Sequence, residues 1–268
     1  MIILIPMGGK GERFVNAGYK LNKACIETTD RHSGAKYPMI VCAMKDIPGS
    51  DDSENTIVCV NRKLHQTNGT EDTILKQYPN TIFIHDHVML DQAFGCFLAR
   101  EYLNSEEDLF IGACDSGMDI DLESFDQLKE SSDAIMISQS NCSSTLMNPE
   151  AHSWAILDSN SSGIQKISLK KTISSNPSKD HATTGMFWFK NSNTFLNYLE
   201  EMIWKKDMLD GKYYIDKVLQ YYIDDQKKVN FIDVNYISWG TPVDFENYEK
   251  TLSYWSKFYM EENWNPRT

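Results

Sequence analysis

The stretch Ile2-Ile3-Leu4-Ile5-Pro6-Met7-Gly8-Gly9-Lys10-Gly11-Glu12-Arg13-Phe14 decides the fold. Ile2 to Pro6 is a short, largely β-branched run. It breaks into a turn holding Gly8, Gly9 and Gly11, and helix-forming residues follow. Strand, glycine-rich turn, then helix is the opening of a phosphate-binding α/β protein. Glycines let backbone amides approach a phosphate with no side chain in the way. Arg13 can fork two donors onto phosphoryl oxygens, and Lys23, ten residues further on, adds a point charge. The stretch is not a Walker loop, because no Gly-Lys-Ser/Thr ending follows. The spacing of Gly8, Gly9 and Gly11 is not that of the dinucleotide fingerprint either. Standing alone, such a loop reads equally well as an ordinary turn flanked by surface bases.

Outside this stretch, TIVCVN (56–61), TIFIH (81–85), DLFIGAC (108–114) and DAIMIS (133–138) read as buried strands. Helical patterns separate them at Asp72–Tyr78, Leu90–Leu103 and Asp121–Glu130. This alternation predicts an α/β, Rossmann-like three-layer sandwich around a mostly parallel, mixed sheet. From about residue 140 the apolar signals thin out. Asn141–Pro149 reads as loop, Trp154–Leu157 and Ile164–Leu169 as a hairpin, Ser174–His181 as loop and Met186–Phe189 as a strand. Amphipathic helices are expected at Ser192–Lys205 and Tyr214–Ile223, a strand at Val229–Val234, and a helix from Pro242 to Phe258. Proline fits that first turn, where a missing amide costs little. The expectation is one domain over 1–268, with a core over about 1–140 and a small β/α subdomain on the substrate side over about 141–268.

Composition narrows the function. With 41% hydrophobic and 24% charged residues, the chain of 268 residues is globular. A formal net charge of -12 argues against a nucleic-acid partner, which needs a basic face. It leaves a nucleotide substrate open, since a local basic cluster and a divalent cation suffice to hold one. No apolar run approaches the roughly 20 residues that span a bilayer, so no membrane partner is expected. The N-terminal strand has no basic leader. The six cysteines form no CxxC pair and suit a reducing cytosol, so a cytoplasmic protein is expected. Nothing in the sequence fixes an oligomeric state.

Three further features bear on chemistry. Asp115 lies just past a strand's carboxyl end, where ligands bind in open α/β sheets, and a carboxylate there can hold magnesium; a turn or helix-cap aspartate is an equal alternative. Lys166, Lys170 and Lys171 follow one another near the hairpin. If the strand runs to Leu169, Lys166 and Lys170 share a face that could receive a phosphate, although lysines guarding a sheet edge are the commoner case. His85-Asp86-His87 has some look of a metal cluster, but no other Cys or His completes zinc spacing. The aromatic C-terminal end (Tyr254, Trp255, Phe258, Tyr259 and Trp264) reads first as packing.

The opening IILIPMGGKGERFVNAGYKLNKACI resembles the N-terminal signature of the sugar-phosphate and choline-phosphate nucleotidyltransferases, in the branch with Phe after the Arg and Gly-Tyr before the Lys. LDQAFGCFLAREYL, DLFIGACDSGMDID, IQKISLKKTIS, TTGMFWFK, GKYYIDKVL and SWGTPVDFENY resemble later segments of that family in order, so the likeness covers essentially the whole chain. It implies that Met7, Gly8, Gly9 and Gly11 bind the triphosphate, with Arg13 and Lys23 as catalytic groups. It further implies that Gln92 and Ala93 lie near the base, that Asp115 holds Mg2+, and that Lys170, Gly185 and Asp216 meet the second substrate. The chain departs from the family pattern at Asn22, where proline usually precedes the lysine, at Ala24, at Leu169, and at Ser238-Trp239, where many members carry a metal-binding aspartate. A second carboxylate would then come from Asp216 or Asp233, or be absent.

The implied activity is transfer of a nucleotidyl group from an NTP, with CTP favoured, to a small phosphorylated metabolite for capsule or surface-glycan synthesis, releasing pyrophosphate. Uridylyl or thymidylyl transfer to a sugar-1-phosphate is the alternative, and a catalytically inactive nucleotide-binding regulatory module is another.

Overall fold

The computed structural model describes residues 1–87, 91–159 and 163–261. β1 (Ile2–Pro6) leads through the glycine turn into α1 (Glu12–Asn16). A small hairpin follows, β2 (Glu27–Thr29) against β3 (Lys36–Pro38). Three-residue strands such as these are too short to show an alternation in sequence. α2 (Met39–Met44) starts directly after Pro38, and every one of its residues is buried. Then come β4 (Thr56–Asn61), the short helices α3 (Lys63–Thr67) and α4 (Thr70–Gln77), and β5 (Ile82–His85).

The helix expected over Leu90–Leu103 is two helices, α5 (Gln92–Leu98) and α6 (Arg100–Leu103), broken at Ala99; Leu90 itself lies outside the described residues. The strand expected to reach Cys114 is β6 (Leu109–Ile111), after which the chain leaves the main sheet and re-enters β structure at β7 (Ser116–Asp119). α7 (Leu122–Glu130) and β8 (Ala134–Gln139) follow the expected pattern.

The loop expected at Asn141–Pro149 contains α8 (Ser143–Met147). β9 (Trp154–Leu157) and β10 (Ile164–Ser168) form the expected hairpin, which ends one residue short of Leu169. β11 (His181–Phe189) begins well before Met186 because a bulge between Thr183 and Met186 interrupts its pairing, and with it the apolar signal. α9 (Ser192–Trp204), α10 (Ile215–Asp224), β12 (Val229–Asp233), β13 (Asn235–Ser238) and α11 (Pro242–Glu261) complete the chain. Asp91, Asp121 and Asn191 cap α5, α7 and α9 by accepting amides three residues on.

Among the described residues nine strands form one mixed sheet, ordered β10-β9-β11-β6-β1-β4-β5, with β8 paired to β11 and β12 paired to β8. β6, β1, β4 and β5 run parallel, and β11 enters antiparallel to β6 and β8. The sheet therefore takes strands from both sides of residue 140. Alternation along β1 builds the layers. Ile2 and Leu4 pack with Ala93, Phe195, Leu199 and Val218 from α5, α9 and α10. Ile3 and Ile5 pack on the other face with Ile40, Met44, Ile74 and Phe125 from α2, α4 and α7. Each such buried side chain stabilises by about 1.5–3 kcal/mol before the entropy of ordering is counted. A third cluster, with Phe14, Trp239 and Phe245, ties α1 to α11. Among the described residues no helix is long and apolar enough to cross a membrane.

Candidate active site

The carboxyl ends of the parallel strands open onto two adjoining cavities, of about 270 and 760 Å³. Gly9, Lys23, Gln92, Asp115 and Gly185 stand in the walls of both.

The smaller cavity is floored by the glycine turn. A Cβ on Gly8 would come within 2.8 Å of Asp86 Oδ2, so the turn lies directly against that buried carboxylate. Gly11 has φ +65°, a left-handed conformation that favours glycine, and a Cβ there would stand 3.4 Å from Lys23 Cβ. Met7 and Cys114 line the same space. Burial pushes the Cys114 thiol up to about 12, so it stands there as a neutral group. Gln92 donates its amide to the Gly185 carbonyl at 3.0 Å, which links α5 to the bulge of β11. Gly185 sits at φ +84°, and a Cβ there would meet nothing within 4 Å. Ala93 is fully buried under the sheet and lines neither cavity.

Lys23 and Asp115, 92 positions apart in sequence, meet between the two cavities in a direct hydrogen-bonded ion pair. Burial works against the charge on Lys23, but the Asp115 carboxylate outweighs it, and the ammonium is held above its ordinary value. Asp115 is only partly buried, and its backbone carbonyl accepts the Trp239 amide at 2.9 Å, which brings the Gly240 turn alongside. Gly240 leaves 3.4 Å between a Cβ position and Asp115 Oδ2.

The larger cavity is lined by side chains. Arg13 is exposed on its wall, near enough to oppose the charge on Lys23. Lys170 reaches it by a route other than the one strand alternation suggested. It lies beyond the end of β10 at φ 54°, in a turn, whereas Lys166 remains exposed on the strand. Its Nζ donates to the Ala151 carbonyl at 2.6 Å and lies 5.0 Å from the Tyr214 ring centroid.

Asp216, 6% exposed, also lines this cavity, and its buried Oδ1 has no hydrogen-bond partner among the described residues. Asp233 does not join it: that carboxylate is held by His181 at 2.9 Å and Ser138 at 2.6 Å and lines neither cavity. Of the two candidates for a second carboxylate, only Asp216 faces the cleft.

Three groups on these walls were not signalled by the sequence. His152 bonds the Thr183 carbonyl through Nδ1 at 3.2 Å; that contact needs a proton on Nδ1 and leaves Nε2 as an acceptor in the neutral ring. Burial lowers its pKa, and the neighbouring Lys170 and Arg13 charges act in the same direction. Tyr236 stands near Asp115, and burial raises its phenol above the ordinary range. Asp244 accepts the Thr241 hydroxyl at 2.7 Å. They come from separate parts of the chain, and although Asp244 falls within SWGTPVDFENY, nothing in that segment singled it out.

Among the described residues no three Asp, Glu, His or Cys side chains converge as a metal cage. Magnesium does not require one, because it keeps waters and is held by one or two carboxylates together with substrate phosphates. Asp115, partly exposed beside the glycine turn, fits that requirement. The His85-Asp86-His87 group is divided: His85 pairs with Glu71 at 2.8 Å, Asp86 faces Gly8, and His87 is exposed. On α11, Tyr254 and Trp255 are exposed and meet edge to face. Trp264 and the side chains of Phe258 and Tyr259 lie outside the described residues.

No protein-family model and no curated protein matches the sequence. Solved structures do match over nearly its full length. A nucleoside-diphosphate-sugar pyrophosphorylase from Vibrio cholerae superposes with a TM-score of 0.74 at 16% identity, over 92% of this chain and 99% of that one. It shares this fold. So does the inositol-1-phosphate CTP transferase from T. maritima, with a TM-score of 0.64 at 19% identity over 94% of each chain. A UDP-glucose pyrophosphorylase complexed with UDP-glucose gives 0.69 at 14% identity, over 96% of this chain and 98% of that one. At these identities the likeness establishes the architecture alone.

Proposed function

We propose that the chain is a magnesium-dependent nucleotidyltransferase that joins an NTP, with CTP favoured, to a small phosphorylated acceptor and releases pyrophosphate. The observation that carries this reading is the Lys23–Asp115 contact at the junction of a glycine-lined cavity and a cavity walled by Arg13, Lys170 and Asp216. The triphosphate lies along the glycine turn, where backbone amides and Arg13 hold it. The acceptor phosphate, with a second pKa near 6, is a competent nucleophile at neutral pH, so no protein nucleophile is needed. Its oxygen bonds to the α-phosphorus as the bridge to the β-phosphate breaks, and the pair of electrons leaves with pyrophosphate.

The chain's own groups act by position and charge. Lys23 offsets charge at the reacting centre. Lys170, already braced by Ala151 and Tyr214, receives the acceptor phosphate. Asp216 and the Nε2 lone pair of His152 offer acceptors to the rest of that molecule. Magnesium, when bound at Asp115, supplies Lewis-acid polarisation of the phosphoryl oxygens.

Preference for CTP, and a place in capsule or surface-glycan synthesis, rest on the branch of the family that the opening sequence resembles. The inositol-1-phosphate CTP transferase among the structural neighbours is in keeping with it. Uridylyl or thymidylyl transfer to a sugar-1-phosphate is the second reading, favoured by the two neighbours named for nucleotide-sugar pyrophosphorylases. Both readings are separated by one assay: four NTPs crossed with phosphocholine, polyol phosphates and sugar-1-phosphates in the presence of magnesium, with pyrophosphate measured. Release that depends on CTP supports the first reading, and release that depends on UTP or dTTP with a sugar-1-phosphate replaces it with the second. No release from any pair leaves the inactive regulatory module.

A further inference from the structure

We infer that His65 and Asn22 form a hydrogen-bonded relay that positions the glycine turn and Lys23 for nucleotide binding. His65 is fully buried in α3, outside both cavities. The Arg62 amide points at its Nδ1 at 3.0 Å, and the Arg62 carbonyl, which receives the His65 backbone amide at 2.8 Å, also lies 3.1 Å from Nδ1. A proton on Nδ1 would oppose the Arg62 N–H and leave Nε2 facing the Asn22 oxygen as a second acceptor, so Nδ1 accepts and the ring proton sits on Nε2. Nε2 lies 3.2 Å from Asn22 Oδ1 and donates to it. The same oxygen accepts the Ala24 amide at 3.2 Å, and Asn22 Nδ2 donates to the Gly9 carbonyl at 3.2 Å. The Asn22 amide fits one way round only: flipped, it would set its NH2 against two donors and its oxygen against a carbonyl.

The relay thus joins α3, through its buried His65, to both ends of the phosphate-binding segment, Gly9 and the short helical turn that begins at Lys23. The charged or titratable groups facing His65 are Arg62, Glu71 and His85. Burial, the largest influence, lowers its pKa to about 4, so the ring is neutral and the relay intact at neutral pH.

Backbone geometry shows what the relay replaces. Residue 22 has φ −60°, which a proline ring would impose covalently, and ψ 146°, an extended value that proline accepts. Asparagine carries no such constraint, and its torsions are held here by side-chain hydrogen bonds. Both residues are positioning residues: Asn22 touches Gly9 and Ala24, and His65 acts on them through Asn22.

The proposed function enters only in the choice of probe, CTP with magnesium, bound to the full chain and followed by calorimetry, with Tm measured on each variant. Asn22→Ala weakens CTP binding by about tenfold, the scale expected when preorganisation of a site is lost. Asn22→Pro makes none of the side-chain bonds yet restores affinity to within about twofold, because the ring fixes φ. His65→Asn and His65→Gln separate positioning from stability. Asn reproduces the Nδ1 acceptor that caps α3 but does not reach Asn22, so Tm is kept and CTP affinity falls. Gln places a donor near the Nε2 position, so affinity is kept while Tm falls.

The relay is overturned if Asn22→Ala or His65→Asn binds CTP as the native chain does, if Asn22→Pro is as weak as Asn22→Ala, or if affinity simply follows Tm across the four variants. Imidazole ¹⁵N shifts read the relay with no nucleotide present. A proton on Nε2 of His65 is expected, and a proton on Nδ1 overturns it. A native chain that shows the Nε2 proton but binds no NTP would sink the proposed function while leaving the relay standing.

Discussion

The two cavities differ in how they are made. The smaller is built on backbone, the glycine turn and the ends of β1 and β6, with Lys23, Gln92 and Asp115 at its edge, and at Gly8 it leaves no room for a side chain, as the 2.8 Å approach of a Cβ there to Asp86 shows. The larger is made of side chains delivered by scattered elements, with Lys170 from a turn after β10, Asp216 from α10, His152 from the approach to β9 and Tyr236 from β13. A backbone site recognises what every nucleoside triphosphate has in common. A side-chain site discriminates, because each wall group can change without disturbing the sheet. The first should therefore respond to mutation as a unit, and the second residue by residue.

The largest effect is expected where the cavities meet. Lys23→Ala should lower turnover by about 10²–10³-fold, the usual cost of removing one charge-stabilising donor. Tm should barely move, since the pair is partly exposed and weakly stabilising. Stopped or quenched assays of pyrophosphate against a thermal melt check both halves, and a large fall in Tm with proportionate loss of activity would make Lys23 structural. Gly8→Ala should weaken CTP by about tenfold while leaving the KM for the acceptor unchanged, because Asp86 or the turn must shift to admit the methyl. Equal loss on both substrates would erase the distinction between the cavities.

Asp216→Asn should act the other way. It should raise the acceptor KM by a few-fold to about tenfold, leave CTP affinity alone, and hold or raise Tm, since a buried carboxylate oxygen without a partner costs stability. A fall in Tm would show that Asp216 serves the fold.

The smallest effect is a pH dependence of stability. His65 takes a proton at about 4 when folded, against an ordinary 6.5. The unfolded chain is protonated first, so stability is lost as pH falls from 6.5 towards 4. The Tm of the native chain should drop more steeply across that window than that of His65→Asn; parallel curves would mean that His65 is not buried neutral.

The same contrast explains what could be read in advance. The glycine turn, Arg13, Lys23 and Asp115 are legible because backbone sites demand glycine at fixed spacing and because parallel strands announce their carboxyl ends. Ile2–Pro6 and Thr56–Asn61 lie where their apolar runs placed them. Asp216 against Asp233 was not decidable, since both follow apolar runs and only tertiary pairing of Asp233 with His181 removes it from the cleft. Lys170 enters the cleft from a turn and not from a strand face, and a residue at positive φ leaves no mark in a lysine-rich run. Asn22 stood out only as a departure from a pattern, and its partner His65, 43 positions away, carried no signal at all. The bulge in β11 hides the period of two, so the sequence shows only its second half, Met186–Phe189, as a strand.

One measurement tests the central claim most directly. CTP labelled at the α-phosphate is incubated with magnesium and the panel of phosphorylated acceptors, and the label is followed in native chain and Lys23→Ala. Transfer of the label to an acceptor, with one pyrophosphate released for each and with transfer lost in Lys23→Ala, is the result predicted. Label that stays in CTP with every acceptor, or that moves equally fast without Lys23, would contradict it.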